Sequence, residues 1–152
     1  MKLPAPAALL PHSGTMLLLD RVLHADADTL CAEVRIAGAT LFCDGLGVGA
    51  WIGIEYMAQA IAAHAGHAAL LRGAPVKVGL LLGTRRYEAR RPSFAVGSVL
   101  HIHVRRILQG ENGLGAFECR IDDVGAAAAV TVATATVTVY QPGDVGDFLK
   151  GV

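Results

Sequence analysis

The sequence predicts an α+β fold in which one antiparallel sheet wraps a single long helix, and three features predict it. One long apolar stretch lies between Gly45 and Leu71, two strand-like runs precede it, and four more follow with no further helix among them. Parallel strands need crossover segments of a dozen or more residues, usually helical. Without such segments between the later runs, the sheet must be antiparallel.

The central stretch, GLGVGAWIGIEYMAQAIAAHAGHAALL, reads as a helix from Trp51 onward. Ile54, Met57 or Ala58, Ile61, Ala65 and Ala68 recur at helical spacing, and Ala, Leu, Met and Gln are good helix formers. Its other faces are nearly as apolar, so the helix belongs inside the fold. Arg72, Gly73 and Pro75 supply a basic last turn, a left-handed cap and a stop. Glu55 is the one formally charged residue in the stretch. A lone carboxylate in such surroundings must be paired, kept protonated, or placed in a cleft where its proton is used. The third option makes Glu55 the leading candidate for chemistry. The plainer alternative is a structural carboxylate paired with an Arg across a dimer.

Around this helix the chain reads in order. The Pro-rich opening to Gly14 is expected to be irregular. Met16 to His24 and Thr29 to Ile36 read as strands about the polar turn Asp26-Ala27-Asp28. Gly38 to Gly49 reads as a loop. Val76 to Glu88, Ser98 to Leu108, Leu114 to Asp122 and Ala127 to Tyr140 are rich in Val, Ile, Thr and Leu and read as a meander of four strands. The economical packing is the hotdog architecture, as one domain over residues 1–152. One sheet face covers only part of so apolar a helix, so a dimer is expected.

Composition narrows the function classes. The 152 residues are long enough to bury about two-thirds of the unfolded surface without staples. With 53% hydrophobic and 17% charged residues, the chain is more apolar than usual, which points to an interface or a greasy ligand. Thirteen basic residues balance thirteen acidic ones without a block of like charge, so no nucleic-acid partner is expected. Cys31, Cys43 and Cys119 are scattered, which fits a reducing compartment. Prolines interrupt the first apolar patch, unlike a signal peptide. Glu55, Gln59, His64, His67 and several Gly argue against a membrane span. The expected location is cytoplasmic.

Three segments in register carry a family resemblance: LLPHSGTMLLLDRV, LFCDGLGVGAWIGIEYMAQA and GLLLGTRRYEARRPSFAVGSVL. They resemble β-hydroxyacyl-acyl-carrier-protein dehydratases of the FabZ and FabA kind, and more closely the divergent dehydratase-like proteins of aryl-polyene gene clusters. The resemblance implies a hotdog protein that eliminates water from 3-hydroxyacyl thioesters held on acyl carrier protein. It implies Glu55 as the helix carboxylate and Gln59 as its companion. It also implies a site shared between subunits, one giving a His and the other the carboxylate. One departure matters. The family's catalytic His lies fourteen residues before that carboxylate, followed by Phe; here Phe42 matches the Phe, but Leu41 occupies the His position.

Elimination of water needs a base beside the carbonyl, an acid for the departing hydroxyl and a donor to the thioester oxygen. Glu55 would be the acid, since burial favours its protonated form. Gln59 shares its helical face and would orient it. Backbone N–H groups of Ala50 and Trp51 would polarise the carbonyl, and Gly83, opening the Gly-x-x-x-aromatic segment, joins the substrate-binding candidates. The base would come from His12 or from a His-bearing hotdog partner, making a homodimer or a heterodimer. For His12 the plainer role is to pin the N-terminal segment.

Other groups carry less. His64 and His67 are expected to be partly exposed near the helix end. His101 and His103 share a strand face, but with no third ligand in view no metal is assigned. The Gly45, Gly47, Gly49 run lacks the Lys and Ser/Thr of a phosphate loop and is read as permitting close approach to the helix. No cofactor is expected. Arg85, Arg86, Arg90 and Arg91 are either a solvated face or a contact for an acidic carrier protein. Two other functions stand beside the dehydratase: a hotdog acyl thioesterase, whose helix carboxylate directs water, and a noncatalytic subunit of a heteromeric dehydratase.

Overall fold

The computed structural model describes residues 3–10, 17–74, 80–110, 112–125 and 128–140. After a short helix α1 (Pro6–Leu9) come β1 (Arg21–Ala25) and β2 (Thr29–Arg35), the short β3 (Gly47–Gly49), a 3-10 turn (Ala50–Ile52) and the long helix α2 (Gly53–Leu71). Then follow β4 (Leu80–Ala89), β5 (Ser93–Ala95), β6 (Val99–Gln109), β7 (Leu114–Asp123) and β8 (Val130–Tyr140). Six strands make one sheet in the order β1-β2-β6-β7-β8-β4. Every neighbouring pair in it is antiparallel, as the missing crossover helices require.

Alternation along the strands gives the sheet one apolar face. Leu30, Ala32 and Val34 on β2 and Leu100, Ile102 and Val104 on β6 are buried against the α2 side, while Cys31, His101 and His103 point the other way. From α2 the core receives Tyr56, Met57, Ala60 and Ile61. Each large side chain so buried stabilises the fold by about 1.5–3 kcal/mol. Gly73 has φ 68° and ends the helix as a left-handed cap, its N–H donating to the Leu70 carbonyl. Among the described residues no helix is long and apolar enough to cross a membrane.

Three expectations change. The opening segment is not wholly irregular, because Pro6 at the first helical position starts α1. The glycine-rich loop holds a strand: β3 pairs with β5, and a Cβ on Gly47 would stand 2.5 Å from the Phe94 carbonyl oxygen. Gly47 thus admits β5 rather than the helix. The meander contains three strands, β6-β7-β8, since β4 joins beyond β8. The chain between β4 and β6 is drawn away to pair with β3 beside the helix start, which places β6 next to β2 instead.

Candidate functional site

Glu55 lies in the first turn of α2 and is half-buried. Full enclosure, expected from the apolarity of the stretch, does not occur in the single chain. One turn on, Gln59 is 0% exposed, and its amide cannot turn freely. Its Oε1 accepts the Leu18 N–H at 2.9 Å, which directs its NH2 group to Glu55 Oε1 at 3.1 Å. A backbone group just before β1 therefore sets the side chain that holds the carboxylate, and an i, i+4 pair becomes a three-membered relay. Leu18 was not singled out as a site residue; its signal was the LLLD run entering the first strand.

The turn ahead of Glu55 is fixed from two sides. The Ala50 N–H donates to the Pro92 carbonyl at 3.0 Å, so it is not the open donor expected for a thioester oxygen. The Ala50 carbonyl in turn accepts the Tyr87 hydroxyl. Tyr87 is the aromatic of the Gly-x-x-x-aromatic segment. It, rather than Gly83, ties β4 to the helix start; Gly83 is exposed on β4 opposite Thr138. The Trp51 side chain is 68% exposed, and its ring centroid lies 6.2 Å from that of Phe42. Phe42 has φ 68°, uncommon for a bulky residue. Leu41, at the family's His position, is half-buried in the same loop. His12 lies outside the described residues.

The remaining histidines are engaged elsewhere or buried. His64 is 2% exposed, not partly open as expected, and its Nε2 lies 3.1 Å from both the Asp26 and Ala27 carbonyls. Such a nitrogen must carry the hydrogen. Burial chiefly holds the His64 pKa below its usual value. His67 is also buried, and His24 lies 2.9 Å from Asp26. His101 Nε2 is 3.1 Å from Glu33 Oε2, and His103 Nε2 is 3.4 Å from Asp122 Oδ2. Tyr56, next to Glu55, buries a hydroxyl with no hydrogen-bond partner among the described residues.

The fully buried carboxylate that sequence reasoning sought on the helix is on β2. Glu33 is 2% exposed and accepts Arg21 Nη2 at 3.0 Å and Arg35 Nε at 2.8 Å, beside His101. The Arg21 hydrogen bond is the largest influence, and its pKa falls to about 2. Burial pushes the nearby Cys31 thiol up to about 11. Arg91 bonds Asp123 at 2.7 Å, whereas Arg85 and Arg86 stand exposed on β4.

A six-stranded antiparallel sheet packed over one long helix, with a carboxylate and its glutamine in the helix's first turns, defines a hotdog-fold protein. The sequence profile of the ApeP-like family, described as ApeP dehydratase, matches residues 4–150, and the chain belongs to that family. Among solved structures, the dehydratase heterocomplex ApeI:P from Xenorhabdus doucetiae matches with TM-score 0.86 and 28% identity over 97% of each chain. Thioesterase superfamily member 2 of zebra fish matches at 0.66 and 15% identity over 88% of each. A hypothetical thioesterase with coenzyme A from Streptococcus pneumoniae matches at 0.61 and 14% identity, covering 82% of this chain and 86% of that one. These last two share the fold. Among curated proteins no match is found.

Proposed function

We propose that this protein is one half of a two-chain dehydratase acting on 3-hydroxyacyl thioesters of acyl carrier protein. It contributes Glu55, and a His-bearing hotdog partner contributes the base. The observation that carries this reading is the relay Leu18–Gln59–Glu55, a carboxyl oriented at a helix start, together with Leu41 where the FabZ- and FabA-like dehydratases have their His. The dehydratase heterocomplex among the similar structures supports a partner of this kind.

In the reaction the partner's imidazole takes a proton from the carbon beside the thioester carbonyl. The electron pair of that C–H bond forms a double bond to the hydroxyl-bearing carbon as its C–O bond breaks, and Glu55 protonates the departing oxygen to give water. Gln59 keeps the carboxyl aimed while the substrate enters. With the Ala50 N–H engaged, the Trp51 N–H ahead of α2 is the donor for the thioester oxygen, where the helix N-terminus favours developing negative charge. Exposed Arg85 and Arg86 offer positive charge to an acidic carrier.

The test is dehydration of a 3-hydroxyacyl carrier substrate by the chain alone, by the partner alone, and by both. Activity is expected with both present, and Glu55→Gln within an assembled complex is expected to lower it about 10²–10⁴-fold. Full activity of the Glu55→Gln complex would make the chain a noncatalytic subunit. Release of free acid from plain acyl thioesters, without dehydration, would make it a thioesterase.

A further inference from the structure

On the sheet face turned away from α2, three potential metal donors from distant parts of the chain come together. Cys31 on β2 stands directly opposite His103 on β6, and His101 lies on the same face of β6, opposite Glu33. One donor atom from each of Cys31, His101 and His103 lies within 4.8 Å of the others. The sequence showed only the two histidines; β2–β6 pairing supplies the third group.

We propose that Cys31, His101 and His103 form a binding site for one borderline-soft divalent transition metal, Zn²⁺ being the best fit. A thiolate with two imidazoles is a donor set that suits zinc, whereas Mg²⁺ and Ca²⁺ require oxygen. In a tetrahedral zinc site, S and N ligand atoms stand roughly 3.5 Å apart. Cys31 Sγ and His103 Nε2 are 4.0 Å apart, so a small side-chain movement closes the pair on an ion. Glu33, 3.1 Å from His101 Nε2, is a carboxylate of the kind that orients a ligating imidazole. Asp122, 3.4 Å from His103 Nε2, adds negative charge and is held by Arg120 Nε at 3.0 Å. Cys31 and His103 also line an open groove of about 670 Å³, which gives an ion its way in. Coordination deprotonates the thiol outright, and its proton leaves to solvent. Three protein ligands leave the fourth position to water. The site is on the opposite face from Glu55 and does not depend on the dehydratase reading.

The test uses the full chain, stripped of metal by a chelator, kept reduced and titrated with Co²⁺. One equivalent is expected to bind, giving a thiolate-to-cobalt charge-transfer band that added Zn²⁺ abolishes. Cys31→Ser and Cys31→Ala should each lose that band. His103→Gln should weaken binding at least tenfold, and Glu118→Gln, on the same groove but bonded to Arg105, should leave it unchanged. For the unsubstituted chain, Zn²⁺ should raise the melting temperature, a readout that needs no variant. Absence of the band, its survival in either Cys31 variant, unchanged affinity in His103→Gln, or a melting temperature indifferent to Zn²⁺ would overturn the proposal.

Discussion

Glu33 meets the Arg21 and Arg35 guanidinium groups and the His101 ring at a β2 position that is 2% exposed. Its pKa is lowered from the usual value to about 2, so the folded state binds its proton less readily than the unfolded chain does. The stabilisation is therefore complete above pH ~4.5 and is lost as the pH falls from there toward ~2. Removing the charge leaves two arginines without their shared carboxylate and turns one acceptor oxygen into an NH2 donor facing them. Glu33→Gln is expected to cost on the order of 2 kcal/mol at pH 7 and to flatten the acid limb, as read from urea unfolding between pH 7 and pH 3. Nothing local marks this residue in the sequence. Within TLCAEVR it occupies an outward strand position, which ordinarily faces water; what buries it is pairing with Arg21 on β1 and His101 on β6. Glu55 had the opposite fate. Its apolar neighbours made it conspicuous, but enclosure also depends on what covers the first turn of α2.

At the scale of elements, α2 was legible because its signals are local: apolar spacing, good helix formers, and Gly73 as a cap. Strand order was less so, because alternation identifies a strand without naming its neighbour. The contact between α1 and α2 was also hidden. Gly66 lies where α1 crosses the helix, and a Cβ there would stand 2.0 Å from the Leu9 carbonyl oxygen. The obstruction is backbone, which yields less readily than a side-chain tip. Ala improves helix propensity by about 1 kcal/mol over Gly, yet overpacking costs about 1–3 kcal/mol. With backbone as the obstruction the upper part of that range applies, about 2–3 kcal/mol, so Gly66→Ala is expected to lower stability by about 1–2 kcal/mol net in denaturant unfolding. An unchanged or raised midpoint would mean that α1 docks loosely.

The whole molecule presents Trp51, 68% exposed, with Phe42 against the indole, and Leu46, 82% exposed, in the same stretch of chain ahead of α2. Large apolar groups gathered beside a half-buried acid are what a protein partner would cover. On the two-chain reading, Trp51→Ala should leave the melting temperature of the isolated chain nearly unchanged. It should weaken binding to the hotdog partner by about 30-fold or more, measured by calorimetry. The composition foretold some such surface, but its location depends on the turn that brings Phe42 to Trp51. The sheet carries another feature with bearing on assembly. It ends on β4, whose pairing with β8 shifts register between Leu81 and Gly83 and again between Arg85 and Glu88, with Arg86 at φ 56°. A rim so kinked and charged is a poor template for stray polypeptide, because extended chains stack on straight, neutral borders. That border of the sheet is thereby a poor seed for fibril growth.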